Sequence, residues 1–227
     1  MRQRISVILP AWNEAERIGE TLRAIREGEL RHAEVIVVDD GSDDRTAEAA
    51  AEWADRVIRH ERNIGKGAAL ETGWRSAEGE VLLFLDADLG QSARHAARLL
   101  APIERGEADM VVAVLPAPRK KGGFGLARGM ASRGIYWLSG YRPTAPLSGQ
   151  RAVKKCVLER IGGLAPGFGI EVSLTIDAVR HGFRIAEVEV PFRHRETGRD
   201  WQGFCHRGRQ LVHIGRTLIR KWQEPAW

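Results

Sequence analysis

Short apolar runs recur along the first half of the chain, separated by polar stretches in which apolar residues return at helical spacing. Ile5–Leu9 reads as a strand. Glu14–Arg26 reads as a helix, with Ile18, Leu22 and Ile25 on one face and Asn13 placed to cap it. Glu34–Asp39 and Val81–Leu85 are apolar runs of the kind found in sheets covered on both faces. Around them the pattern predicts an Ala-rich helix starting at Asp43 or Asp44, a short strand Arg56–Arg59 and a helix Gly65–Ser76. Ser92 is placed to cap a helix ending near Pro102, and Asp109–Leu115 is a further strand. Strand and helix alternate through short links, which predicts an α/β domain with a mainly parallel central sheet flanked by helices.

The second half is less regular. Pro116–Gly125 carries two prolines, three glycines and the bases Arg119-Lys120-Lys121, the composition of a loop. Gly125–Leu138 reads as a helix, Pro143–Pro146 as a turn and Leu147–Val153 as a strand. Glu171–His181 is a helix, Arg184–Phe192 a strand and Trp201–Trp222 a terminal helix. In that last helix Phe204, Leu211, Val212, Ile214, Leu218, Ile219 and Trp222 form an apolar stripe. Arg207, Arg209, Arg216, Arg220 and Lys221 form a basic face. Such a stripe more often packs against its own domain; the alternative is a peripheral contact with an anionic membrane.

Composition narrows the class. At 227 residues, 43% hydrophobic and 29% charged, the chain has an ordinary globular balance, which excludes disorder as its main state. No apolar run approaches the ~20 residues of a membrane span. The N-terminal run stops at Pro10, too early for a signal peptide, and Cys156 and Cys205 lie far apart. A cytoplasmic protein is expected, with any membrane contact peripheral at the inner face. The net charge is +5 and its distribution is uneven: bases gather at residues 119–121 and over the last part of the chain. A basic balance suits nucleic acid, an anionic membrane or a phosphorylated small molecule.

Candidate chemistry stands at strand ends, where open parallel sheets bind ligands. Those ends read Pro10-Ala11-Trp12-Asn13-Glu14, Asp39-Asp40-Gly41-Ser42 and Asp86-Ala87-Asp88. One acidic strand end is explained by a helix cap; three on one edge are not. The Asp86/Asp88 pair suits a hard divalent cation such as Mg²⁺ shared with substrate phosphates, one residue binding it and the other orienting a ribose or a water. There is no Walker loop, and no G-x-G-x-x-G follows the first strand. In that place stands Asn63-Ile64-Gly65-Lys66-Gly67, opening a helix, where Lys66 can neutralise a diphosphate or touch a base edge.

In this order and spacing, Ile5–Glu14, Val35–Thr46, Gly65-Lys66-Gly67 and Leu83–Asp88 resemble the nucleotide-sugar half of a GT-A fold glycosyltransferase, family 2-like. Leu147-Ser148-Gly149, Gly167–Glu171 and Arg193-His194-Arg195 resemble glucosyl-3-phosphoglycerate synthases. Ile185–Phe192 followed by Arg195 and Gly198 resembles polyprenyl-phosphate sugar transferases such as dolichol-phosphate mannose synthase. The resemblance spans roughly residues 5–200. It implies a donor half (1–115), an acceptor half (116–200) and a basic amphipathic terminal helix (201–227) of a single domain.

It also implies roles. Pro10, Ala11, Glu14 and Asp40 would hold nucleobase and ribose, Asp39 would assist, and Lys66 would lie near the base. Asp86 and Ala87 would line the donor, and Asp88 and His194 would bind Mg²⁺ or, since imidazole suits it better, Mn²⁺. Arg128, Ser148, Gly149, Gly169 and Arg195 would face the acceptor. Many family 2 enzymes follow the equivalent of Glu171 with an Asp general base; here Val172 follows, and the next carboxylate is Asp177. An acceptor that is already ionised needs no strong base, and Glu171 would then orient acceptor or sugar. The implied reaction moves a hexose, from UDP-glucose, to an anionic acceptor such as 3-phosphoglycerate, or alternatively to a lipid phosphate. A nucleotidyltransferase lacks its Gly-rich triphosphate loop here. A nucleic-acid-binding module is opposed by the acidic strand ends and by few stacking aromatics.

Overall fold

The computed structural model describes residues 3–116, 125–164, 169–193 and 201–224, with the backbone alone for 201–210. Strands β1 (Ile5–Ala11), β2 (Glu34–Asp39), β3 (Arg56–Arg59), β4 (Val81–Phe84), β5 (Met110–Val114), β6 (Arg151–Lys154) and β7 (Ile185–Glu189) form one sheet. Its order is β3-β2-β1-β4-β6-β5-β7. Every pairing is parallel except those of β6, which runs antiparallel to β4 and β5. The carboxyl ends of β1, β2 and β4 therefore share an edge with the amino end of β6, where Arg151 lies opposite Phe84 and Val112.

The helices are α1 (Ile18–Glu27), α2 (Thr46–Ala51), α3 (Lys66–Ser76), α4 (Ala101–Glu104), α5 (Gly125–Ser139), α6 (Lys155–Ile161), α7 (Ile170–Arg180) and α8 (Trp201–Gln223). A 3₁₀ run covers Gly90–Leu99. Alternate strand residues feed opposite faces of the sheet. Val7, Leu9, Val35, Val37 and Leu83 pack with α1 and the 3₁₀ run, whereas Ile8, Ile36, Val38, Leu82 and Phe84 pack with α3, α6 and α7. A third cluster joins α5, α7 and α8 through Ala131, Ile135, Val172, Ile176 and Ile214.

Four expectations change. Asn13 does not cap α1. It has a left-handed backbone (φ 56), and its Oδ1 accepts the Asp43 N–H at 2.9 Å. The N–H groups of Asn13, Glu14 and Ala15 are taken by Ser42, Thr46 and Asp44, so the helix starts only at Ile18. The segment after Ser92 is 3₁₀ rather than α, and its buried residues Ala93, Ala96 and Leu99 recur every third position, the 3₁₀ period. The strand expected from Leu147 is shorter, because the Ser148 N–H turns back to the Ala145 carbonyl at 3.2 Å and pairing begins at Arg151.

The terminal stripe divides. Leu211, Ile214 and Leu218 pack onto the domain, while Val212, Ile219 and Trp222 are exposed. Lys221 is not on an exposed basic face: it is buried, 2.8 Å from Asp177 and 2.5 Å from Glu224.

Candidate active site

The β2 end is pinned by its own carboxylates. Asp39 is fully buried; its Oδ1 accepts the Ser42 N–H at 3.0 Å, and its Oδ2 lies 3.3 Å from Arg59 Nε but accepts no hydrogen bond. Asp40 takes the Gly65 N–H at 2.7 Å on Oδ2, and the Ile64 N–H at 3.1 Å and His60 Nδ1 at 2.7 Å on Oδ1. With Nδ1 donating to the carboxylate, His60 Nε2 accepts the Thr72 hydroxyl at 3.0 Å. Gly41 has φ +70, and the backbone of Arg62 and Asn63 fills the space a Cβ would need, so only glycine lets the two loops meet. The carboxylate assigned from sequence to a nucleobase thus holds the loop that opens α3.

That loop delivers Lys66. Its ammonium lies 2.7 Å from Asp86 Oδ1 and 3.7 Å from Glu171 Oε1, joining the end of β4 to the first turn of α7. Burial by itself would lower this ammonium, but Asp86 and Glu171 outweigh it and hold the group above the ordinary lysine value. Asp86 Oδ2 accepts Gln150 Nε2 at 2.8 Å. Gly149 borders all three charges: a Cβ there would stand 2.5 Å from Lys66 Nζ and 3.6 Å from both Asp86 Oδ1 and Glu171 Oε1. Asp88 is half-buried one strand-repeat beyond Asp86, and its charge also acts on Lys66.

The other sequence-predicted residues are distributed as follows. Pro10 and Ala11 lie in β1 opposite Val38 and Asp39. Glu14 is half-buried in the adjoining loop, and the Ala87 carbonyl accepts the Thr21 hydroxyl at 2.7 Å. Ser148 is buried with no hydrogen bond on its hydroxyl. Gly169 packs against Thr217 of α8. Arg128 is exposed and donates to the Thr144 carbonyl at 2.9 Å, so it is not gathered with the charged cluster. Asp177, the next carboxylate after Glu171, is paired with Lys221 and bonded to Ser173 at 3.1 Å. The predicted residues His194 and Arg195, and the 119–121 cluster, lie outside the described residues.

Sequence reasoning missed His60, Thr72, Gln150 and Arg151. His60 and Thr72 gave no local signal, since nothing in their neighbourhood marks them as partners of Asp40. Gln150 and Arg151 had one: two polar residues inside a stretch otherwise expected to fill a strand.

Among the described residues no three His, Cys, Asp or Glu side chains cluster as a metal site. At the β4 end Lys66 and Gln150 engage both Asp86 oxygens, so the half-buried Asp88 is the carboxylate there whose chemistry fits a hard cation.

Comparison with known proteins agrees with this geometry. The model of glycosyl transferase family 2 matches residues 6–154. The chain is 32% identical over 222 residues to a polyprenol monophosphomannose synthase of Mycolicibacterium smegmatis, covering 86% of this chain and 80% of that protein. It is 29% identical over 244 residues to an undecaprenyl-phosphate mannosyltransferase of Micrococcus luteus, covering 97% and 96%. Among solved structures, glucosyl-3-phosphoglycerate synthase from Mycobacterium tuberculosis, in complex with Mn²⁺, UDP-glucose and phosphoglyceric acid, superposes with a TM-score of 0.81. That match has 26% identity and covers 98% of this chain and 81% of the other. With acidic strand ends on one edge of a mostly parallel sheet, and a family model spanning strands β1 to β6, the chain belongs to glycosyl transferase family 2 and is a glycosyltransferase of the GT-A fold.

Proposed function

We propose that this enzyme transfers a hexose from UDP-glucose, with Mg²⁺ or Mn²⁺, to an acceptor that carries its own anionic charge, such as 3-phosphoglycerate. The observation that carries the reading is the state of the two carboxylates available to act as base. Glu171 is paired with the Lys66 ammonium and Asp177 with Lys221. Each carboxylate would have to leave its ammonium partner before it could face an acceptor hydroxyl. An ionised phosphate oxygen attacks without a base, and the neutral hydroxyl of 3-phosphoglycerate fits the same arrangement when its proton passes to the departing diphosphate, a transfer that needs no protein carboxylate as base.

In this reading Asp39, whose buried Oδ2 lacks a hydrogen-bond donor, accepts an N–H of the nucleobase against β1 residues Pro10 and Ala11. Asp88, with His194, holds the cation, which when bound neutralises the departing diphosphate. Lys66 fixes Asp86 and Glu171 at the seam between donor and acceptor. Glu171 orients the sugar or the acceptor hydroxyls. Gly149 leaves room for the reacting groups beside Lys66. The N-terminal turn of α7 and the acceptor-side bases receive the anion.

A second reading, transfer to a polyprenyl phosphate at a membrane surface, is favoured by one observation. Of the eight exposed large hydrophobics among the described residues, six lie on α5 and α8: Leu126, Tyr136, Trp137, Val212, Ile219 and Trp222. Exposed Arg133, Arg216 and Arg220 accompany them. Aromatic and basic residues together suit a lipid headgroup layer. No described helix is long and apolar enough to cross a membrane.

The test is UDP release from UDP-glucose with Mn²⁺, with 3-phosphoglycerate in one arm and a short polyprenyl phosphate in micelles in the other. Turnover in the soluble arm supports the first reading. Turnover only in micelles replaces it with the second. Neither acceptor raising UDP release, with metal-dependent UDP binding intact, defeats both acceptor assignments.

A further inference from the structure

Arg151 is the largest fully buried side chain among the described residues, in an interior strand, where a Val or Ile would ordinarily be found. Among the described residues no carboxylate lies within ion-pairing distance of it. Burial pushes its guanidinium down to about 10, with Glu171 the first of the groups pulling it back, so it stays charged at neutral pH. A buried charge without a close partner weakens a core, and a protein keeps one for a reason other than stability.

Its bonds show where it acts. Nε donates to the Ser148 carbonyl at 2.8 Å, the residue before Gly149. One terminal nitrogen donates to Thr175 Oγ1 at 2.9 Å, and Thr175 donates in turn to the Glu171 carbonyl at 2.7 Å. The other terminal nitrogen has no hydrogen-bond partner. Arg151, Gly149 and Glu171 line one pocket with Leu70, Phe84, Ile170 and Leu174. Arg151 thus joins the two segments that flank Lys66 on the acceptor side: the turn carrying Gly149 and the helical turn carrying Glu171. Gly149 and Glu171 come from segments twenty-two positions apart in sequence, and no described backbone–backbone hydrogen bond links them.

We infer that Arg151 is a positioning residue for glycosyl transfer: its planar fork sets the spacing of Gly149 and Glu171, and so the alignment of the acceptor against the donor sugar. Its guanidinium bonds to protein groups, the Ser148 carbonyl and the Thr175 hydroxyl. The inference rests on the reaction proposed above only in that Glu171 acts during transfer.

The experiment compares Arg151→Met and Arg151→Lys with the unaltered chain by four readouts: melting temperature, Mn²⁺-dependent UDP affinity, UDP release from UDP-glucose with and without acceptor, and amide exchange by segment. For Arg151→Met the expected results are an unchanged or higher melting temperature and UDP affinity within about threefold. Its kcat falls about 30- to 100-fold at constant donor KM, with faster exchange confined to residues 147–150 and 170–175. Arg151→Lys keeps the charge and one of the two bonds, and recovers part of the rate. Unchanged kcat for Arg151→Met overturns the inference. So does a rate loss that tracks a fall in melting temperature with exchange rising across the sheet, which marks a packing residue. If neither acceptor is used by the unaltered chain, that failure belongs to the acceptor reading. Release to water and the exchange pattern still decide Arg151.

Discussion

The two sides of the site are built by opposite means. On the side proposed to bind the donor, three parallel strands deliver Pro10-Ala11, Asp39-Asp40 and Asp86–Asp88 from their carboxyl ends, and short loops stitch those ends together. On the side proposed to bind the acceptor the entering strand is reversed, so β6 meets the site with its amino end, and the groups facing Lys66 come from the turn before β6 and the start of α7, joined through β6. The donor side is local and repetitive, one βα unit after another. The acceptor side is assembled from segments far apart in sequence and held by side chains. Lys66 is the hinge between them, bonded to Asp86 on one side and facing Glu171 on the other.

The comparison breaks most sharply at Asp88. Asp88→Asn is expected to lower transfer by about a thousandfold or more while leaving the melting temperature near its original value, because metal and diphosphate charge stabilisation carry a large part of such catalysis. Kinetics with titrated Mn²⁺ and a thermal melt check it; an active Asp88→Asn enzyme would remove the cation from that residue.

Gly149→Ala probes the seam. The added methyl meets the flexible end of Lys66, so the fold yields cheaply while the ammonium moves away from Asp86 and Glu171. A kcat lowered about 10- to 100-fold with stability changed by less than about 1 kcal/mol is expected. A large stability loss with normal kcat would show Gly149 to be a packing position only.

Asp40→Asn tests whether the donor side is a clamp. One amide end presents a donor to N–H groups that now meet an acceptor, which costs about 2 kcal/mol and loosens residues 60–65. UDP affinity should fall together with protection of the Ile64 and Gly65 amides. Loss of affinity with those amides unchanged would instead make Asp40 a direct ligand contact.

The smallest effect is an acid one, remote from the site. Asp109 accepts Lys154 at 2.8 Å and the Arg184 backbone N–H at 3.0 Å, bracing β5 against β6 and β7. Desolvation works to raise this carboxyl, but the bonds from Arg184 and Lys154 outweigh it and hold it well below its ordinary 3.8. A depressed folded-state carboxyl contributes stability that is complete above the ordinary value and lost as pH falls below it. Denaturant melts between pH 5 and pH 2 should therefore show a smaller acid loss in Asp109→Asn, by about 1 kcal/mol, than in the unaltered chain. Parallel curves would show that Asp109 is not a source of the pH dependence.

The legibility of the two sides follows from the same contrast. Elements β1 to β5 and α3 were readable because each is a contiguous apolar or amphipathic run, and the acidic strand ends were readable because polar rims follow buried strands directly. Asn13 misled: a good capping residue stood beside a helix, but side chains about thirty positions away take the N–H groups next to it, and its own oxygen accepts the Asp43 N–H instead of a helix N–H. The partners of Asp40 were equally illegible, since His60, Ile64 and Gly65 are supplied by another loop. The terminal stripe was half right, because a helical wheel cannot say which edge of a wide stripe a neighbour such as α5 covers.

By itself the sequence determined most of the succession of strands and helices, α6 excepted, the edge on which the carboxylates gather and the family to which they point, since these depend on periodicity and on short contiguous motifs. Only the tertiary structure decided that β6 runs backwards between two strands, that Lys221 neutralises Asp177, and that Lys66 bridges Asp86 to Glu171. Those outcomes depend on which charges and N–H groups become neighbours once water is excluded between layers. A buried group's partner is fixed by distance in space, which spacing along the chain does not encode.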